Sequence, residues 1–349
     1  MPKTDILSLS LGELTKEIEN LGEQKFRAKQ IYNWLHVKKV CDFKDMTNLS
    51  DTLRAKLDEV FSITKIEVIK KLVSKDGTVK YLFALPDGTA VESVVMNYKH
   101  GNSLCISTQV GCKMGCSFCA STIAGFERHL LPSEMLSQVY FADKTHGISS
   151  IVLMGIGEPL DNFDNVMKFL SLLSDKDGFN MSLRHVSLST CGIVPKIYEL
   201  SDLDLGLTLS ISLHAPNDDL RKQIMPIANK YSLDELISAC KTYFEKTGRR
   251  ISFEYSLIDG VNDTDECAKE LAKLLHGFNC HVNLIPVNEV KERSYRASKI
   301  KSVERFKEIL IQNGINATVR RTLGTDISAA CGQLRKNHVK KEGLNEDCN

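Results

Sequence analysis

Three cysteines in the segment GCKMGCSFCA, Cys112, Cys116 and Cys119, stand at the spacing CxxxCxxC. Thiolates this close along a loop can converge on one metal centre. Zinc usually takes a fourth Cys or His, and the next polar candidate, His129, lies ten residues beyond Cys119 with no paired ligand. A four-iron four-sulfur cluster suits three cysteines better, because one iron is then left open for a substrate. The chain holds 11 cysteines in 349 residues. In a reducing compartment that number points to metal or redox chemistry and away from a disulfide framework.

The surrounding pattern supplies elements to position such a loop. From about residue 101 the text alternates strand, turn and helix. The strand candidates are Leu104 to Thr108, Ile151 to Met154, His185 to Ser189, Leu207 to Ser212, Ile251 to Tyr255, Val282 to Ile285 and Ala317 to Arg320. The cysteine loop directly follows the first and precedes a helix. Val166, Phe169, Leu170 and Leu173 follow helical spacing, Ser232 with Glu235 forms a capping box, and Gly147, Gly248, Gly277 and Gly314 stand where helices stop. About six βα units fit, which predicts a parallel, partly open barrel, with an open doubly wound sheet as the alternative. Both put chemistry at the C-terminal ends of the strands. Glu158 with Gly157 in MGIGEPLDN, Ser189 in LSTCG, Ser212 to His214 in SISLHAP and Asn288 in LIPVNE all fall there.

Ahead of this region, TVKYLFAL and TAVESVVM flank Pro86-Asp87-Gly88 and predict a hairpin. Alternation puts Ala90, Glu92, Val94 and Met96 on one face, so Glu92 is a carboxylate among apolar neighbours, either an edge guard or a proton-moving group. Before the hairpin, FRAKQIYNWL and LSDTLRAKLDEVF read as short helices of a small module.

With Phe118 preceding the last cysteine, the chain resembles the radical S-adenosylmethionine (SAM) enzymes. Within them it is similar to the dual-specificity rRNA and tRNA adenine C2 methyltransferases, from FRAKQIYNWL through the Glu92 hairpin, GEPLDN and SLHAPND to ISAACGQL. The resemblance implies a partial (βα)6 TIM-like radical SAM barrel over 101–330. It adds an N-terminal helical RNA-binding domain over 1–75, a β-hairpin linker over 76–100 and a tail over 331–349. It implies one 4Fe-4S cluster on Cys112, Cys116 and Cys119, with SAM on the open iron. SAM would be held by Gly157, Glu158, Ser189, Ser212, Leu213, His214 and Asn288. The substrates implied are an adenosine of 23S rRNA in the peptidyl transferase centre and adenosine 37 of some tRNAs.

Adenine C2 is an electron-poor sp² carbon, which makes direct attack on the SAM methyl implausible. A thiolate can carry the methyl instead. The resemblance assigns that role to Cys331: one SAM methylates its sulfur, and a second yields the radical that removes hydrogen from the S-methyl group, so that the carbon adds to C2. It gives Cys105 the release step, through a transient Cys105–Cys331 disulfide, and Glu92 the C2 proton. Pro159 in GEPL favours the C2 enzyme over its C8-methylating sister. The remaining cysteines, including Cys191, Cys240 and Cys267, read as packing.

Forty-five basic residues balance 44 acidic ones, so RNA contact must come from local patches. KERSYRASKIK, from Lys291 to Lys301, places five basic residues and Tyr295 beside the Asn288 strand end and predicts phosphate contacts at the rim. The tail RKNHVKKEG is also basic. No apolar run reaches spanning length and no signal peptide is visible, so the expectation is a cytoplasmic monomer, served by an electron donor such as flavodoxin or ferredoxin. The rivals are a glycyl-radical activating enzyme and a non-catalytic iron-sulfur or zinc RNA module.

Overall fold

The computed structural model describes residues 3–334 and the backbone of residues 337–338. Its centre is one eleven-stranded sheet. Three antiparallel strands come first: β1 (Glu67–Val73), β2 (Val79–Ala84) and β3 (Thr89–Tyr98), the last pairing with β4 (Gly101–Cys105). From β4 onward every neighbour is parallel, through β5 (Ile148–Leu153), β6 (Val186–Thr190), β7 (Thr208–Ser212), β8 (Ile251–Leu257), β9 (Cys280–Pro286) and β10 (Ala317–Val319). The short β11 (Asn337–His338) returns to pair with the start of β3. Helices cross between successive parallel strands, giving the expected partial barrel; β10 does not pair with β4, and the barrel stays open.

Local chemistry explains the elements. Burial alternates along β6, with Val186, Leu188 and Thr190 buried and Ser187 and Ser189 only partly so, while β8 is buried along almost its whole length. The crossover helix Phe163–Ser174 buries Val166, Phe169, Leu170 and Leu173 as one stripe. Helix Leu233–Thr247 opens on the Ser232–Glu235 capping box and stops at Gly248, whose φ of 63° a side chain would disfavour.

On β3, Val91 and Val95 join the main core, and Ser93 donates to Gln138 of helix Pro132–His146 at 2.7 Å. The alternate face carries Val94 and Met96 into a smaller cluster with Cys105, Ala329 and Leu334. Glu92 shares that second face, as alternation requires.

The structure departs from the sequence reading in three places. Strand β4 ends at Cys105, not Thr108, because Gln138 takes over the Ser107 amide. Strand β1 went unread: EVIKKLV is exposed on both faces and shows no alternation, and its lysines suit an edge. The cysteines do not lie directly between a strand and a helix. They occupy an excursion closed at its base by Gln109–Val110 pairing with Arg128–His129, and the long helix begins only at Pro132. The N-terminal helices, read as a small module, pack directly onto the barrel. Tyr32 OH donates to Asp175 at 2.9 Å and His36 bonds Tyr140 at 2.8 Å, so their apolar residues continue the barrel core. The basic tail, apart from the backbone of β11, lies outside the described residues, as does Cys348.

Candidate active site

The cysteine excursion is shaped by backbone that only glycine fits. At Gly111, φ is 75° and a Cβ would stand 1.8 Å from the Gly125 carbonyl oxygen. The loop's far end is tied to the C-terminal segment: Ala120 N donates to Gly332 O at 2.7 Å and Ser121 Oγ to Leu334 O at 2.8 Å. Cys112, Cys116 and Cys119 all line one cavity of about 160 Å³. Burial pushes the Cys112 thiol up to about 12 and raises Cys116 and Cys119; Cys119 also opposes ionisation of Cys112 and Cys116, and Cys331 that of Cys119. Among the described residues no three metal-ligating side chains converge on a single ion.

The opposite wall of that cavity is formed by strand ends, as expected: Gly157, Glu158, Ser189, Ser212, His214 and Asn288 all line it. Gly157 has φ 111° and lets the backbone pass where a Cβ would meet Gln109 at 2.7 Å. The Glu158 carboxylate accepts from Leu160 N at 3.0 Å and Cys191 N at 2.7 Å, while burial pushes its pKa up. His214 Nδ1 accepts from Ser256 N at 2.9 Å. Its ring is therefore neutral with the proton on Nε2, consistent with a pKa lowered to about 3 by burial. The Phe118 ring meets His214 edge-on at 5.0 Å. Leu213 is the exception: its side chain sits wholly in the main core, because neighbours in an extended chain point to opposite faces.

Cys331 lines the same cavity and also a second one of about 30 Å³, which it shares with Cys105. Asn288 Nδ2 holds the Cys331 carbonyl at 3.0 Å. Burial, and then the Cys331 sulfur, push the Cys105 thiol up to about 12. Glu92 lines neither cavity. It is buried beside them, with Lys80 Nζ 3.2 Å from its Oε1.

Several lining residues escaped the sequence reading. Arg320, just past β10, borders both cavities; its guanidinium stays protonated, favoured first by Cys331 and then by Glu254, whose Oε2 is 3.7 Å away. Asn283 donates to the same Glu254 oxygen at 2.9 Å. Met154 and Ser256 also face the large cavity. Arg221, fully buried, fastens the loops after β6 and β7 by donating to the Cys191 and Leu213 carbonyls. The signal for Arg320 was present, since it closed a predicted strand where ligands bind.

Comparison with known proteins joins the two halves of this architecture. Residues 4–63 match the family described as ribosomal RNA large subunit methyltransferase N-terminal domain, and residues 106–275 match the radical SAM superfamily. A curated dual-specificity RNA methyltransferase RlmN of Lachnoclostridium phytofermentans is 56% identical over 347 residues, covering 99% of this chain and 98% of the relative. The corresponding protein of Clostridium novyi is 55% identical, covering 96% and 99%. The chain belongs to the RlmN family. A solved radical SAM methyltransferase from Sphaerobacter thermophilus superposes with a TM-score of 0.91 at 42% identity, over 95% of this chain and 99% of that one.

RlmN membership makes the chain a radical SAM RNA methyltransferase, which decides against the activating enzyme and the non-catalytic module. Radical SAM chemistry uses a 4Fe-4S cluster and SAM. The donor set suits that cluster: three cysteine sulfurs from one loop face one cavity, opposite strand ends rich in polar groups.

The basic rim is only partly as expected for RNA contact. Lys291 and Arg296 are exposed, but Arg293 turns inward, its Nη2 3.0 Å from Thr122 Oγ1 and 3.5 Å from the Cys119 carbonyl. Tyr295 bonds Ser117 at 3.0 Å. Both brace the cysteine loop. Among the described residues no helix is long and apolar enough to cross a membrane.

Proposed function

We propose that this RlmN-family chain methylates C2 of an adenosine in 23S rRNA and of adenosine 37 in tRNA, with Cys331 as the carrier of the methyl group. The supporting observation is the position of Cys331 at the junction of two cavities, one bordered by the three cysteines and the other by Cys105. In this reading Cys112, Cys116 and Cys119 hold three irons and leave the fourth to SAM. Gly157, Glu158, Ser189, Ser212, His214 and Asn288 surround that SAM. Leu213 contributes only backbone.

The cluster and SAM supply the methyl group and the radical that removes a hydrogen from it. The chain's residues do the rest. Cys331 sulfur takes the methyl and presents its carbon to C2, an atom too electron-poor to attack SAM itself. Glu92 accepts the C2 proton. Once the adduct has given up its unpaired electron to an oxidised one-electron acceptor, the Cys105 thiolate bonds to Cys331 sulfur; the sulfur–carbon bond breaks with its electron pair on carbon, which takes up a proton as the methyl group, and the disulfide left behind is reduced by an external dithiol. All the described cysteines are free thiols, in keeping with a reducing cytoplasmic setting.

The reading extends to the chain's organisation. Residues 1–75 serve as the RNA-facing accessory domain, 76–100 as the hairpin linker, 101–330 as the radical core and 331–349 as the tail carrying the acceptor. The enzyme acts as a monomer and draws electrons from a flavodoxin or ferredoxin.

The test is anaerobic reconstitution with an rRNA fragment, followed by digestion to nucleosides. Formation of 2-methyladenosine is expected; 8-methyladenosine, or no methylated adenosine at all, would overturn the assignment.

A further inference from the structure

One buried cation joins two parts of the site that lie far apart in sequence. Lys80 on β2 is 8% exposed, and its Nζ lies 3.2 Å from Glu92 Oε1. Glu92 stands diagonally across the β2–β3 pair, since Lys80 faces Val94 and Leu82 faces Glu92. The same ammonium donates to the Ser328 carbonyl at 3.0 Å. Ser328 precedes Cys331 by three residues and has a φ of 51°, a left-handed conformation that costs a serine energy unless neighbours hold it.

Neighbours do hold it, and they come from the turn between β1 and β2 that leads into Lys80. Asp76 accepts from Gly324 N at 2.9 Å, while the Ser74 hydroxyl and the Lys75 amide both donate to Asp326. Gly324 sits so close to Thr78 that a Cβ there would approach Thr78 Cγ2 to 3.0 Å. Residues 74–80 thus form a bracket for residues 324–328, and Lys80 is the one member of these contacts that also reaches the proposed proton acceptor.

We propose that Lys80 is a positioning residue for methyl transfer, fixing the Glu92 carboxylate and the Cys331 loop relative to each other around the adenine C2 carbon. The inference rests on the roles proposed above for Glu92 and Cys331. In the step concerned, the C2 proton passes to a Glu92 oxygen while the electron pair of the C–H bond stays on the ring. That transfer needs the carboxylate at C2 while the methylene carbon carried by Cys331 sulfur is bonded to that same atom. A buried ion pair seldom adds stability over an apolar pair of equal volume, so its value here lies in placement.

The experiment compares full-length wild type, Lys80→Met and Lys80→Arg, each reconstituted with its cluster and assayed on one rRNA fragment. Wild type forming 2-methyladenosine upholds the assignment of function; its failure to do so sinks that assignment, whatever the variants show. Given that activity, Lys80→Met is expected to lose about a hundredfold in kcat, a typical contribution of a positioned proton acceptor. Its KM for RNA should stay within about twofold of wild type. S-methylation of Cys331 and release of 5′-deoxyadenosine should continue, and protein–RNA adduct should accumulate. Lys80→Arg, which keeps the charge, should recover about tenfold of the loss. Should Lys80→Met fail to fold, Lys80→Gln replaces it with the same expectations. Wild-type turnover without the ammonium would overturn the proposal, as would S-methylation and RNA methylation falling together.

Discussion

The amide of Asn288 and the backbone of Cys331 are joined by a 3.0 Å hydrogen bond that carries the end of β9 onto the C-terminal loop. Gln333 Nε2 donates to the Glu289 carbonyl at 3.0 Å and runs parallel to it. Asn288 therefore holds the backbone of the proposed methyl carrier, in addition to bordering the cavity. Asn288→Ala should slow S-methylation of Cys331 about tenfold, roughly the effect of removing one hydrogen bond of about 1.4 kcal/mol. Intact-protein mass spectrometry after single turnover measures it, and an unchanged rate would remove the tie from the mechanism.

Cys331 and Cys105 should fail in different ways. Cys331→Ala should keep its cluster and still cleave SAM reductively, yet transfer no methyl to RNA. Cys105→Ala should carry out the chemistry as far as the covalent joining of enzyme to RNA and stop there. A denaturing gel resolves the two, since only the second variant leaves a nuclease-sensitive, slowly migrating band. RNA methylation at the normal rate by either variant would contradict its assigned role.

The rim residues divide by orientation. Neutralising the exposed Lys291 and Arg296 should weaken RNA binding and flatten its salt dependence, by about 0.7 in slope for each single-stranded RNA phosphate that no longer meets a cation. Arg293→Ala should instead loosen the cysteine loop, because its guanidinium is bound to Thr122 and Cys119. Its signature is lower iron content with an unchanged salt slope. A salt slope altered by Arg293→Ala alone, and not by the other two, would reverse this division.

Acid should weaken the attachment of the N-terminal helices. His36 is fully buried between Tyr32 and Tyr140, and burial lowers its pKa from 6.5 to about 4. The unfolded chain therefore takes up the proton first. Stability is complete above about pH 6.5 and falls toward pH 4, by at most about 1.4 kcal/mol per pH unit from this group. His36→Gln should melt with a shallower pH dependence across that window. Identical slopes for the variant and wild type would show that His36 does not titrate on unfolding.

Much of this was written in the sequence because its signals are local. CxxxCxxC marks the cysteine loop by spacing alone, and the strand ends bearing Gly157, Ser189 and His214 follow from hydrophobic runs broken by turn residues. The side chain of Leu213 could not be told from its neighbours by a resemblance that names a segment whole, whereas the period of an extended chain sends alternate residues to opposite faces; Ser212 and His214 meet the cavity and the Leu213 side chain meets the core. Lys80, Arg221 and Glu254 could not be picked out, whereas Arg320 closed a predicted strand and was within reach. A single charge in a strand or helix has the same local signature whether it guards a solvent edge or sits paired in the interior, and only long-range contacts separate the two. Arg293 failed for the complementary reason, since a basic run does not say which of its members turns inward.

The bracket between residues 74–80 and 324–328, with the ties from Ala120 and Ser121 to Gly332 and Leu334, has a bearing on synthesis. A nascent polypeptide emerging from its ribosome completes the cysteine loop long before Cys331 is translated. A product truncated ahead of residue 324 lacks these ties, and the cavity wall around Cys331 is assembled only when residues 324–334 fold back onto the first third of the chain.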